Sequence, residues 1–209
     1  MSLLPVSIDE NLQCVNIVIE LVEGTEAPEK LREVLKDRVY PQAQTAKTDR
    51  AAQLTAQSNF KAANVKLHAT DDKADTSLSH LYAAMGIRGG VAGQNVLRGL
   101  WGGLKLTDVK ALNVGEQVRT VGEAIVRYDA NPDLYDLPTD RLEDVRTTNT
   151  ELGAAYTEER AAKRAWTLAS ATSEASMDAF GQGYRSAVRL AVELLGEAVV
   201  TAHLPVFER

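Results

Sequence analysis

The sequence predicts an all-α protein: an elongated up-down helical bundle built on two long antiparallel helices, at about 42–87 and 140–202, with three shorter helices packed along them. All of this is expected within one domain, residues 1–209, with a glycine-rich connecting segment at 86–112. Three observations carry the prediction. Alanine occurs 29 times against 6 prolines and 5% aromatics, a balance that favours helix because strands draw on β-branched and aromatic side chains. Between Pro41 and Met85 there is neither proline nor glycine. Toward the carboxy terminus the apolar positions repeat every eleven residues, as in Ala155, Trp166, Met177, Val188 and Val199, and again in Ala169, Phe180, Ala191 and Ala202. Eleven residues in three turns is about 3.67 per turn, the spacing of a nearly straight or slightly right-handed pairing.

Ser7 and Glu10 form a capping box, and Ile8, Leu12, Val15, Ile19 and Val22 then recur at helical steps until Gly24. Val15, Ile17, Ile19 and Leu21 also alternate as a strand would, so helix is the preferred reading of 8–22 and strand the alternative. Thr25 can cap a short helix carrying Leu31, Val34, Leu35 and Val39, ending at Tyr40 because Pro41 disfavours helical geometry in its predecessor. Pro41 suits the first turn of the next helix, whose seam runs through Ala52, Ala56, Phe60, Ala63, Leu67, Ala74, Leu78, Leu81 and Met85. Such a helix would reach roughly 65 Å, which is why an elongated shape is expected.

Residues 86–103 hold seven of the fourteen glycines and are read as the main break. Leu104, Leu106, Val109 and Leu112 look like a docking segment. Asn113 and Glu116 then make a second capping pair before the stripe Val114, Val118, Val121, Ile125 and Tyr128. Asn131, Pro132 and Asp133 predict a turn and loop through Pro138. Asp140 and Glu143 open the last helix, for which Gly181 and Gly183 predict a kink near residue 182. The short helices cannot cover both long ones, so a homo-oligomer is expected.

Several chemistries are excluded. The residues three before His68, His80 and His203 are Val65, Ser77 and Val200, none a metal ligand, so the glutamate–histidine pairs of a di-iron bundle are absent. His68 and Asp72 share a helix face but lack a third ligand, and no cofactor is expected. Cys14 lies in the apolar stretch QCVNIV with no basic neighbour, and reads as a core residue in a reducing, cytoplasmic setting. GxSxG, GxxxxGK[ST] and GxGxxG are missing. Paired carboxylates such as Glu158 with Glu159 read as solvated charge. A net charge of −6 argues against nucleic acid as a partner, and the absence of a signal pattern or an eighteen-residue apolar run argues against a membrane. The last helix carries only the narrow polar line Arg189, Glu193 and Glu197, which suits a central or interface helix.

One feature points to a function. Residues 86–112 carry Arg88, Arg98, Lys105, Asp108 and Lys110, a local +3 that leaves −9 for the rest. The expected role is therefore non-catalytic, in self-assembly or partner binding. The candidate contact residues are Arg88, Leu97, Arg98, Leu100, Trp101 and Lys105, meeting an acidic protein surface such as a neighbouring copy. In the opposing reading, Trp101 and its neighbours fold down to cap the bundle. The alternative function is an enzyme or ligand-binding bundle with an internal pocket lined by Tyr82, Trp101, Tyr156 and Trp166. A membrane-active helical hairpin is a further alternative.

Overall fold

A computed structural model describes residues 7–205, and among them every regular element is helical. In chain order these are α1 (Ile8–Glu23), α2 (Glu29–Arg38), α3 (Tyr40–Leu100), α4 (Leu106–Lys110), α5 (Val114–Ala130), α6 (Pro132–Tyr135), α7 (Thr139–Leu195) and α8 (Glu197–Thr201). The chain divides into two compact units: Asn59–Lys163, called unit 2, and the stretches through Ser58 and from Arg164, called unit 1.

In unit 1, the Ser7 capping box starts α1 as its residues dictate. Glu10 N donates to Ser7 Oγ (3.1 Å) and Ser7 N donates to Glu10 Oε2 (3.3 Å). Helix therefore prevails over strand at 8–22. Cys14, Val15, Val18 and Ile19 are buried at i, i+1, i+4 and i+5, the pattern of one helix face; a strand would bury alternate residues. The expectation that Thr25 caps α2 is corrected. The cap position is Pro28, because Ala27 is drawn into the core and Arg32 Nη1 donates to Gly24 O (3.1 Å), leaving 24–27 as a bent link.

Leu31, Leu35, Val39, Ala43 and Ala46 meet Phe180, Tyr184, Ala187, Val188 and Ala191 in one core. Within this unit α3 and α7 run antiparallel. Gln53 Nε2 donates to Ser170 Oγ (3.2 Å), and eleven residues earlier on α3 Gln42 faces Gly183, well beyond Ser170 on α7. The kink expected near 182 is absent, and α7 continues to Leu195. Gly181 and Gly183 serve close packing instead. A Cβ at Gly181 would stand 3.2 Å from Asn11 Oδ1, and one at Gly183 would stand 3.5 Å from the Arg38 carbonyl oxygen. The helix stops at Gly196, whose φ of 84° lies in the left-handed region, so it ends seven residues before the expected limit of 202 and α8 follows as a separate short turn.

Cys14 is fully buried, and loss of hydration pushes its thiol up to about 11, with the Glu10 carboxylate adding to the shift and the neighbouring Tyr184 hydroxyl opposing it. We expect thiol labelling with a disulfide reagent at pH 8 to be at least roughly hundredfold slower than for a free cysteine, and to become rapid in denaturing urea. Stoichiometric labelling of the native protein within seconds would contradict this placement.

In unit 2, α3 and α7 are again antiparallel. Lys66 Nζ meets Glu158 Oε2 (2.6 Å), and further along α3 Ser77 Oγ meets Thr148 Oγ1 (2.7 Å). Of the predicted α3 seam, Ala63, Leu67, Ala74, Leu78, Leu81 and Met85 are buried, and Thr70 joins them. Ala52, in unit 1, is exposed instead. Helix α5 begins at Asn113, whose Oδ1 accepts from Glu116 N (3.1 Å), and it lays Val121, Ala124 and Ile125 against Leu78, Leu81, Leu142 and Val145. Residues 132–135 form a short helix where a plain turn was expected, since Pro132 at its first turn is preset for helix.

Asp71 is unusual within α3. Its Oδ1 is sealed from water without a hydrogen-bond partner, and burial raises its pKa, helped by Asp75 and Asp72 and opposed by His68. A carboxyl that holds its proton more tightly when folded makes the fold lose stability as pH rises from the ordinary carboxylate range through the raised value. Asp71→Asn is expected to remove that slope and to be at least as stable as the parent at pH 7, read from urea midpoints of both proteins between pH 4 and pH 8. A variant that is less stable at pH 7 would contradict it.

Candidate functional site

The segment expected to be a glycine-rich connector is largely helix, which corrects the reading of 86–112. The α3 ladder breaks at one residue, Gly90 (φ 55°, ψ −137°), and resumes from 91 to Leu100. That combination is open only to glycine, and it turns the chain sharply. The arm 91–100 folds back on the turns before the break. A Cβ at Gly93 would run into the Met85 backbone carbonyl, and one at Gly86 would lie 2.9 Å from Gln94 Nε2. The long helix expected at 42–87 thus ends about where predicted. The arm beyond the break is helical because Leu97, Leu100 and Trp101, at steps of three and one, pack into the core with Leu81, Ile125 and Leu142.

The arm closes in a Schellman turn. Gly103 N donates to Arg98 O (2.8 Å) and Gly102 N donates to Gly99 O (3.2 Å), with Gly102 at φ 65°. Arg98 reinforces the turn through its side chain, since Nε donates to Gly103 O (2.8 Å). From this turn the chain enters α4, where Lys105 N donates to Asp108 Oδ2 (2.9 Å).

The six candidate contact residues separate into two groups. Leu97, Leu100 and Trp101 are interior, and Trp101 is only 4% exposed. Arg88, Arg98 and Lys105 are exposed. Arg88 is held within the unit, with Nη1 donating to Asp136 O (3.0 Å) and lying 3.5 Å from Asp136 Oδ1. Arg98 and Lys105 pair with no carboxylate among the described residues. They rim a cleft of about 360 Å³ whose apolar wall is Val91, Trp101, Leu104 and Leu106. Tyr82, Gln94, Asn95 and Thr107 complete it with uncharged polar groups. Val91, 74% exposed, is shared between this wall and the corner, where Ile87 stands 88% exposed.

Of the four residues expected to line an internal pocket, Tyr82 and Trp101 share this cleft. Tyr156 packs instead with Leu152 and Ala155 in a neighbouring core cluster, and Trp166 belongs to unit 1. Gln94 and Asn95 were missed by sequence reasoning. Val91, Asn95 and Arg98 lie four and three apart, a helical face that the density of glycines over 86–103, read as the main break, conceals.

The other clusters are less suited to chemistry. His80 lies in a shallow groove of unit 2 with Asp72, Ser77, Asp144 and Thr148, where the Ser77 hydroxyl is bonded to Ala74 O (2.8 Å) and Thr148 and is therefore not paired to a base. Among the described residues no group of three histidine, cysteine or acidic side chains is placed to hold a metal ion. A depression of unit 1 gathers Arg38, Arg185 and Arg189 but includes Glu193 in its lining. No described helix is long and apolar enough to cross a membrane. Comparison of the chain with known protein families, curated proteins and solved structures yields no match.

Proposed function

We propose that this protein acts without chemistry of its own, by self-assembly, and that the Gly90 corner of unit 2 docks on the acidic surface of a second copy. The observation that supports this reading is the pair Ile87 and Val91, large apolar side chains 88% and 74% exposed on either side of Gly90 and flanked by cations. Charge complementarity selects the partner: residues 86–112 carry +3 and the remainder of the chain −9. The buried Leu97, Leu100 and Trp101 support the corner from below, while Arg98 and Lys105 supply its unpaired charge and Arg88 is already held by Asp136. We place the protein in the cytoplasm, a setting that suits a single buried thiol.

The test is the absolute mass in solution, by light scattering after size exclusion, at two concentrations and two salt levels. Self-assembly through the corner gives a mass well above 22.7 kDa that rises with concentration and falls in high salt, because exposed charges are screened within about 10 Å at 0.1 M salt. Ile87→Ser with Val91→Ser is expected to return it to the monomer. A salt-independent monomer, or an oligomer indifferent to the double substitution, overturns the proposal.

A further inference from the structure

We infer that the cleft of unit 2 is a binding site for a small organic anion, a carboxylate joined to a flat apolar body. The charge pattern is the first argument. In a chain of net charge −6, the lining of this cleft holds two cations and no acidic side chain. Several cations elsewhere in unit 2 are paired: Arg146 grips Asp129 with two bonds (2.8 and 3.0 Å), Arg127 lies 3.3 Å from Glu123, and Lys110 lies 3.5 Å from Asp75. Arg98 and Lys105 face the cleft with no such partner.

The second argument is preorganisation. The bond from Arg98 Nε to Gly103 O (2.8 Å) fixes the plane of the guanidinium and leaves its two terminal nitrogens without a partner among the described residues. A held guanidinium fork matches the two oxygens of a carboxylate and loses little freedom on binding. Lys105 adds a point charge on the same rim. Shape is the third argument. A space of about 360 Å³ is at the small end of ligand pockets, large enough for a body of one or two rings. Its Trp101 and Leu104 wall is apolar, so a ligand that is all charge, such as a bare inorganic ion, would leave that wall wet.

The same chemistry occurs in a free small molecule and at the end of a peptide chain, and the experiment separates them. Full-length protein is titrated calorimetrically with 2-naphthoate, with the neutral 2-naphthylmethanol, and with Gly-Gly-Phe carrying a free or an amidated terminus. Naphthoate is expected to bind one per chain, at least tenfold tighter than the alcohol, and more weakly as salt rises. Lys105→Gln, at an exposed residue whose side chain holds nothing in the fold, is expected to weaken it roughly tenfold, the equivalent of one charge-assisted contact of about 1.4 kcal/mol. Arg98→Gln is expected to do the same or more; because it also loosens the turn at Gly103, Lys105→Gln is the decisive variant.

Tighter binding of the free-terminus peptide than of its amide and of naphthoate assigns the source to a chain end, and tighter binding of naphthoate assigns it to a free molecule; both support the inference. No binding at about 5 mM, equal binding of acid and alcohol, or indifference to Lys105→Gln overturns it. A monomer that binds naphthoate removes the assembly reading and leaves this one standing.

Discussion

Trp101→Ala is expected to cost about 4 kcal/mol of stability, at the upper end for core truncation. Trp101 is 4% exposed, stands at the end of the 91–100 arm, and packs with Leu78, Leu81, Leu97 and Leu142 around α5. Removing the indole leaves a void that flanking side chains cannot fill, because Leu97 and Leu100 are pinned by the Schellman turn on one side and the fold-back at Gly93 on the other. Urea unfolding followed by circular dichroism reads the loss as a shifted midpoint at unchanged slope. The result also discriminates between roles. A variant within about 1 kcal/mol of the parent that has lost assembly would make Trp101 a surface anchor, contrary to its burial.

Phe180→Ala is expected to cost about as much, roughly 3–5 kcal/mol, for a related reason in unit 1. Phe180 is fully buried and stacks on Tyr184 at 5.6 Å between ring centres, so its loss removes both apolar burial and an aromatic contact. Leu168→Ala is the control. Leu168 lies on the same helix, 70% exposed, and its truncation is expected to stay within about 0.5 kcal/mol. Equal losses for the two variants would mean that α7 is covered where it stands exposed, which would itself point to a partner.

Much of the helical pattern was legible in residues alone. Ser7 with Glu10 and Asn113 ahead of α5 mark helix starts through their own side chains, a signal that needs no tertiary contact. The α3 seam from Ala63 to Met85 and the eleven-residue repeat through Met177 and Val188 identify buried faces by periodicity. The errors share a cause. Thr25, the glycines of 86–103 and the pair Gly181 and Gly183 were read by local preference, worth about 1 kcal/mol per residue, and packing outweighed it each time. Ala27 took the chain past Thr25, Leu97 and Trp101 stabilised a helix through glycines, and Gly181 became the place where Asn11 approaches.

The candidate cleft was legible only in part. Its cations and its tryptophan stood out as a basic, apolar segment in an acidic chain. That Trp101 forms the wall while Arg98 and Lys105 form the rim depends on where one backbone break falls. Composition placed seven glycines in the region, but it is Gly90 whose conformation turns the helix back on itself, and the close approaches of Gly93 to Met85 and of Gly86 to Gln94 accompany that choice. The amino-acid sequence by itself determined helicity, the helix starts at Ser7 and Asn113 and most of the apolar faces, because these depend on interactions within a few residues of chain. The tertiary structure decided which glycines break a helix, which cations remain unpaired and what lines the cleft, because each depends on contacts between residues far apart in sequence.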